Sequence, residues 1–208
     1  GAYRWGSRGS GRLMGALDAF AAIDVNGRVC VDAGASTGGF TAILLERGAV
    51  RVFSIDVGYG QLAWSLQQDP RVVVMDRFNV RHLSATDLDQ PADLVVADLS
   101  FISLRTVLPA LRASVEPSAD FVLMVKPQFE VGRERLGKNG VVRDPDVRAD
   151  AVMGVARSAA DIGLGCAGIE ASPLPGPSGN VEYFLWLRQD SPPMREDDVA
   201  RAVADGPQ

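Results

Sequence analysis

Lysine is nearly absent from this chain. Of its 21 cationic side chains only Lys126 and Lys138 are lysines, and the others are arginines. A background that uses arginine for routine positive charge makes each lysine conspicuous, because a buried lysine can give up its proton and an arginine cannot. Histidine is reduced to His82, which leaves no basis for a histidine-built catalytic or metal site. Cysteine is limited to Cys30 and Cys166. Both lie in strand-like apolar runs and no CxxC pair occurs, which excludes a disulfide framework and points to small core residues in a reducing, cytoplasmic setting. No apolar run approaches the ~18–20 residues of a membrane-spanning helix, and no signal peptide is visible. Excess basic charge is missing too: the formal net charge is -5. The chain thus has no general nucleic-acid footprint, and an RNA or DNA partner would need a local patch or a region beyond this chain. It begins at Gly1 rather than Met, which suggests a fragment or a processed form.

What is present describes one α/β domain. The 208 residues are 47% apolar and 23% charged, enough for a sizeable core and too hydrophobic for global disorder. Strand-like runs at 28–32, 50–56, 72–75, 94–98 and 121–125 alternate with helix-like segments at 39–48, 61–68, 103–114 and 145–163, after a first helix over 13–20. That alternation predicts a mostly parallel sheet with helices on both faces. Beyond Gly163 the pattern changes. Strands at 166–171 and 181–188 are joined by a Pro/Gly-rich connection too short for a crossover helix, which predicts an antiparallel last strand. Residues 190–208, with Pro192-Pro193, are expected to be a loosely attached tail with one short helix at 196–204.

The first strand ends in Asp32-Ala33-Gly34-Ala35-Ser36-Thr37-Gly38-Gly39-Phe40. Glycines let backbone approach a ligand, and the following helix start offers free N–H groups. The spacing DxGxxxGG is neither the dinucleotide fingerprint nor a P-loop. Asp56, at the end of strand two, is where an acid can accept both ribose hydroxyls of a nucleoside. Asp76 and Asn79 follow strand three, where an adenine edge would lie. These residues predict an adenosine-containing ligand. The carboxylate of Asp32 favours S-adenosylmethionine, with its cationic sulfonium and amino groups, over NAD. A nicotinamide-dependent oxidoreductase is the alternative.

The reacting groups are expected at the same edge. Asp98 closes strand four, Lys126 follows strand five directly before Pro127, and Glu182 opens the last strand. Ligands in open α/β sheets bind beyond the carboxyl ends of the parallel strands, and an antiparallel last strand starts there. The N-terminal run 3–12 brings arginines that could join them. No Asn/Asp-Pro-Pro-Tyr/Phe motif follows strand four, which disfavours amino-group methylation. No cysteine stands there, which disfavours carbon methylation through a covalent adduct.

The Ser7-Arg8-Gly9 start, DAGASTGGF, DVGYGQL, VVADLSFISL, VKPQFEVG and PGPSGNVEYFLWL together resemble the TlyA-type branch of the FtsJ-like 2′-O-ribose methyltransferases, over nearly all of the chain up to Arg188. The resemblance implies a Rossmann-like class I methyltransferase fold of seven strands. It implies S-adenosylmethionine as methyl donor and cytidine 2′-OH groups of small- and large-subunit ribosomal RNA as acceptors. It also implies a Lys-Asp-Lys-Glu tetrad, in which Asp98, Lys126 and Glu182 match the last three members and Arg12 replaces the first lysine. The family's small N-terminal RNA-binding module is missing, so residues 1–12, including Trp5, are expected to be a linker from it. The methyltransferase domain then spans 13–189 and the C-terminal tail 190–208. On this reading Asp32, Gly34, Ser36, Thr37, Gly38, Gly39, Phe40, Asp56, Asp76, Asn79 and Asp98 contact the cofactor. Arg8 and the basic, Gly-punctuated loop carrying Arg133, Arg135, Lys138 and Arg143 contact RNA phosphates, with Phe129 able to stack on a base. Proteins of this type are also described as haemolysins, so a non-enzymatic binding or pore-forming protein is a further alternative.

Overall fold

A computed structural model describes residues 8–208, and for Arg8 the backbone only. Five parallel strands, β1 (Val29–Ala33), β2 (Arg51–Ile55), β3 (Val72–Met75), β4 (Leu94–Ala97) and β5 (Asp120–Val125), are completed by β6 (Gly165–Ala171) and β7 (Tyr183–Arg188). They form one seven-stranded sheet in the order β3-β2-β1-β4-β5-β7-β6. β7 runs antiparallel to both β5 and β6. The chain leaves β1 toward β2 on one side and returns to β4 on the other, so the order reverses between β1 and β4, the place where α/β sheets open a ligand crevice.

Side chains alternate between two buried faces, as a sheet covered on both sides requires. Leu94, Val96, Val122 and Met124 face the helices α1 (Arg8–Ala19) and α2 (Gly39–Glu46). Val95, Phe121, Leu123 and Val125 face α4 (Leu104–Ser114), α5 (Pro145–Asp161) and α6 (Glu196–Asp205). The expected helix at 61–68 shrinks to the single turn α3 (Trp64–Gln67), because its first residues complete a turn anchored by Ala63 N–H donating to the Thr37 carbonyl.

Two expected boundaries move. α1 starts at Arg8, so residues 8–12 belong to the domain: Ser10 and Arg12 are buried, and Leu13, Ala16, Leu17 and Phe20 form a helical stripe on the sheet. Residues 1–7, with Trp5, lie outside the described residues. The C-terminal segment is not loose either. Val199 and Val203 of α6 are buried in the same core as β7, and Cys166 N–H donates to the Pro192 carbonyl at 2.8 Å. Two buried valines, four residues apart on one face of a short amphipathic helix, dock it.

Candidate active site

The loop after β1 is built around two left-handed glycines and is held by an acid from the end of β2. Gly34 has φ +83°, and a Cβ there would lie 2.2 Å from the Asp98 carbonyl, so the loop can rest against the end of β4 only without a side chain. Gly38 has φ +107° and a Cβ would strike Leu66. Gly39 starts α2. Ser36 and Thr37 are exposed between them. Asp56 accepts from Ser36 N–H at 2.7 Å through one carboxylate oxygen and from Gly58 N–H at 2.8 Å through the other. Asp76 accepts from Gly60 N–H at 3.1 Å. The acids after β2 and β3 therefore hold one continuous rim beside the glycine loop. Asn79 is exposed, and its side chain caps the turn at 80–82 by accepting from Arg81 N–H.

Two residues expected in direct contact with the cofactor are enclosed instead. Phe40 is buried against Phe184, with ring centroids 6.3 Å apart, because the first turn of α2 faces the sheet. Asp32 is fully buried and accepts a 2.7 Å hydrogen bond from Thr41, whose hydroxyl also pairs with Ser54. It braces the loop from beneath. Burial pushes its carboxyl up to about 7, against the opposing hydrogen bond from Thr41. An acid whose folded pKa is raised binds its proton more tightly in the native state, so its contribution to stability is lost as pH rises from the ordinary value of 3.8 to about 7. Asp32→Asn is expected to remove that slope, gaining melting temperature relative to the parent between pH 4 and 7 and holding the gain above. Parallel melting curves of equal pH dependence would show that Asp32 is charged throughout.

Asp98, Lys126 and Glu182 converge. The Lys126 amine lies 2.5 Å from Asp98 Oδ1 and 3.8 Å from Glu182 Oε2, and donates to Ser100 Oγ at 3.1 Å. β4, β5 and β7 bring them there: Lys126 follows the last residue of β5, and the β5–β7 register pairs Val125 with Tyr183, the neighbour of Glu182. Lys126 is 9% exposed and Glu182 1%, whereas the Asp98 side chain is 26% exposed and faces the opening. Burial pushes the Glu182 carboxyl upward, and Lys126 and Arg12 pull it back.

Arg12 completes the group from α1. Its guanidinium lies 3.0 Å from Glu182 Oε1 and donates to the Pro175 carbonyl at 3.0 Å. It thus reaches the site through Glu182, from behind. Arg8 is at the start of the same helix, and its side chain is outside the described residues.

The basic loop is more structured than its glycines suggested. It folds into short 3-10 turns at Arg133–Arg135 and Lys138–Gly140. Asn180, buried beside Glu182, accepts from Val142 N–H at 2.8 Å and donates to the Gly140 carbonyl at 3.1 Å, which pins its far end. Arg133, Lys138 and Arg143 are exposed, as an RNA contact requires. Arg135 is exposed as well and pairs at the surface with Asp150 at 2.7 Å. Sequence reasoning missed Ser100 and Phe101. Phe101 is 89% exposed, has φ +63°, and its ring centroid lies 4.9 Å from that of Phe129. The signal was an aromatic residue in the loop directly after Asp98, where the chain has already left the core.

These positions fit S-adenosylmethionine. Asp56 and Asp76 rim the glycine loop, on which Ser36 and Thr37 are exposed, and the exposed edge of Asp98 offers negative charge to a cationic ligand group. Among the described residues no cluster of His, Cys, Asp or Glu could hold a metal ion, and no helix is long and apolar enough to cross a membrane.

Comparison with known proteins gives the family and the fold. A family model described as FtsJ-like methyltransferase matches residues 5–189. The chain is 59% identical over 208 residues to the 16S/23S rRNA (cytidine-2′-O)-methyltransferase TlyA of Mycobacterium tuberculosis, covering 98% of this chain and 77% of that protein. A solved structure from Streptococcus thermophilus that carries a hemolysin name superimposes with a TM-score of 0.92 at 38% identity, covering 97% of this chain and 74% of that one. An S-adenosylmethionine-dependent methyltransferase from Mesorhizobium loti shares the fold at TM-score 0.58 and 16% identity, over 84% of this chain and 96% of that one. The glycine loop, the acid-lysine-acid cluster at the sheet edge and the match across residues 5–189 lead to one conclusion: this chain belongs to the FtsJ-like methyltransferase family.

Proposed function

We propose that this chain transfers a methyl group from S-adenosylmethionine to the 2′-hydroxyl of cytidines in small- and large-subunit ribosomal RNA. The observation that carries the reading is the Asp98–Lys126–Glu182 cluster beside the glycine loop. It is supported by the 59% identity to a protein named for that activity on 16S and 23S rRNA. A nicotinamide-dependent oxidation has no comparable support, since the glycine spacing departs from the dinucleotide fingerprint.

A ribose hydroxyl is a weak nucleophile, so the site must align it and take up its proton as the new bond forms. When bound, the cofactor supplies an electrophilic methyl group on a cationic sulfur. Asp56, Asp76 and the backbone from Gly34 to Gly39 hold the nucleoside portion. Asp98 faces the opening and, with Glu182 behind, fixes the amine of Lys126. Lys126 orients the ribose hydroxyl, and the amine–carboxylate cluster receives its proton. Phe101, projecting beside Phe129, offers an aromatic face on which the base can stack. Arg133, Lys138 and Arg143 hold flanking phosphates, and Arg8 adds to them from α1. With an acidic chain overall, affinity for the ribosomal subunit depends on an N-terminal RNA-binding module joined ahead of α1.

The test uses ribosomal RNA from cells lacking the protein, as isolated subunits and as free RNA, with labelled S-adenosylmethionine. Label in cytidines, at positions that become resistant to alkaline cleavage, is the expected result. Label on a base, or no transfer with full-length protein and intact subunits, would overturn the reading. Calorimetry should show binding of S-adenosylmethionine and none of NAD.

A further inference from the structure

Asp98 and Lys126 sit on two segments that leave neighbouring strands, 98–104 and 126–130. Near the sheet the segments meet through the Lys126 contacts to Asp98 and Ser100, and further out through the Phe101–Phe129 rings. A third connection lies at Glu130. Its side chain is 2% exposed, and its carboxylate accepts from Leu104 N–H at 2.8 Å and from the Ser103 hydroxyl at 2.5 Å. Arg105 closes the exchange, with Nε 3.5 Å from the carboxylate and a 3.1 Å bond to the Glu130 carbonyl.

Helix capping alone does not account for this arrangement. α4 already has its own cap, because Ser103 Oγ accepts from Arg105 N–H at 3.1 Å. What the carboxylate adds is a cross-link to a segment 26 residues away, placed at a helix N-terminus where negative charge is favoured. From Glu130 to Lys126 the chain is a single 3-10 turn, Pro127–Phe129, closed by Phe129 N–H to the Lys126 carbonyl at 2.9 Å and Glu130 N–H to the Pro127 carbonyl at 3.0 Å. Pro127 fixes its own φ. A shift at Glu130 therefore reaches Lys126 with little slack. The same cross-link holds Phe129 against Phe101, whose left-handed backbone is costly for a bulky side chain and persists only when its surroundings hold it.

We propose that Glu130 is a positioning residue for methyl transfer: it locks the segment carrying Lys126 to the segment carrying Asp98 and Phe101, and so sets the lysine amine and the aromatic platform relative to one another. This rests on the methyltransferase reading of the site.

Two lysines in the chain make the test direct. Lysine labelled with 13C at the ε-carbon gives two signals, assigned with Lys138→Arg. In Glu130→Leu the Lys126 signal is expected to move while that of Lys138 stays. Under saturating RNA and cofactor, kcat should fall roughly 10- to 100-fold, as expected for small misplacement of reacting groups, with cofactor affinity unchanged. Glu130→Gln keeps an oxygen for Leu104 N–H and should recover most of kcat, and it reports on the lock if the leucine variant fails to fold. An unmoved Lys126 signal in folded Glu130→Leu, with transfer reduced only in proportion to unfolded protein, would overturn the proposal and leave Glu130 as a helix cap. Failure of the unsubstituted protein to methylate RNA would overturn the methyltransferase reading instead, and the lysine signals would still decide whether the lock exists.

Discussion

Lys126→Ala is expected to reduce methyl transfer by roughly 10²- to 10⁴-fold, the range a positioned proton-transfer group contributes, while S-adenosylmethionine binding stays measurable. The two effects separate because the groups lie on different strand ends. Asp56, Asp76 and the glycine loop follow β1, β2 and β3, whereas the amine projects from the end of β5 between Asp98 and Glu182. Alanine also leaves two carboxyl groups facing each other without the cation between them, so some loss of melting temperature accompanies the loss of rate. Lys126→Arg distinguishes two roles for the side chain. Arginine keeps the charge but does not give up a proton. If proton uptake at this position matters, the arginine variant is as impaired as alanine; if only a cation is needed, it retains substantial transfer. Single-turnover transfer of labelled methyl, read beside calorimetric cofactor binding, makes the measurement. Near-normal transfer by Lys126→Ala would remove Lys126 from the catalytic assignment.

Arg12→Ala should cost about 3–5 kcal/mol of folding stability, the usual penalty for stripping one partner from a buried ion pair. Glu182 is 1% exposed, and Arg12 is its nearest cation, at 3.0 Å against 3.8 Å for Lys126. The sign of the pH dependence follows from the same geometry. Burial already raises the Glu182 carboxyl above the ordinary glutamate range, and Arg12 is one of two groups lowering it. Without Arg12 the carboxyl rises further, so the ionised form is more heavily penalised in the folded state. The destabilisation should therefore be largest at neutral pH and shrink as pH falls through the raised folded pKa. The acid limb of the activity profile should move upward with it. Arg12→Lys, which restores the lysine implied by the family resemblance, should keep Glu182 paired and preserve most of the transfer. Denaturant unfolding at pH 5 and pH 8 tests the stability claim. An Arg12→Ala variant equally stable at both would show that Glu182 is satisfied without it.

Much of this was legible in the chain. Apolar runs of four to six residues ending in Asp or Lys marked the parallel strands, and their alternation with helical segments set the fold class, because both periodicities are local. β3 was placed at its observed ends, 72–75, and the antiparallel β7 followed from a connection too short to cross over. Convergence of Asp98, Lys126 and Glu182 was legible because all three stand at strand termini on one edge of the sheet, and β4, β5 and β7 are adjacent in it.

Residue direction was not legible. Asp32 and Asp56 both stand at strand ends near the same glycine loop, yet Asp32 is buried under α2 on Thr41 while Asp56 holds the rim. That difference depends on which face of the sheet the helix covers. Arg12 read as an uncertain substitute in a linker, and only the docking of α1 on the sheet carries its guanidinium to Glu182. Arg135 stands in the same basic loop as Arg133, and only the fold shows that Asp150 of α5 lies beside it. The sequence by itself determined the fold class, the order of the elements and the charged groups gathered at the strand ends, since these rest on local periodicity and on chemistry at strand ends. Only the tertiary structure decided which side chains face the opening, which brace it from within, and which charges are already paired, because those depend on contacts between segments far apart in the chain.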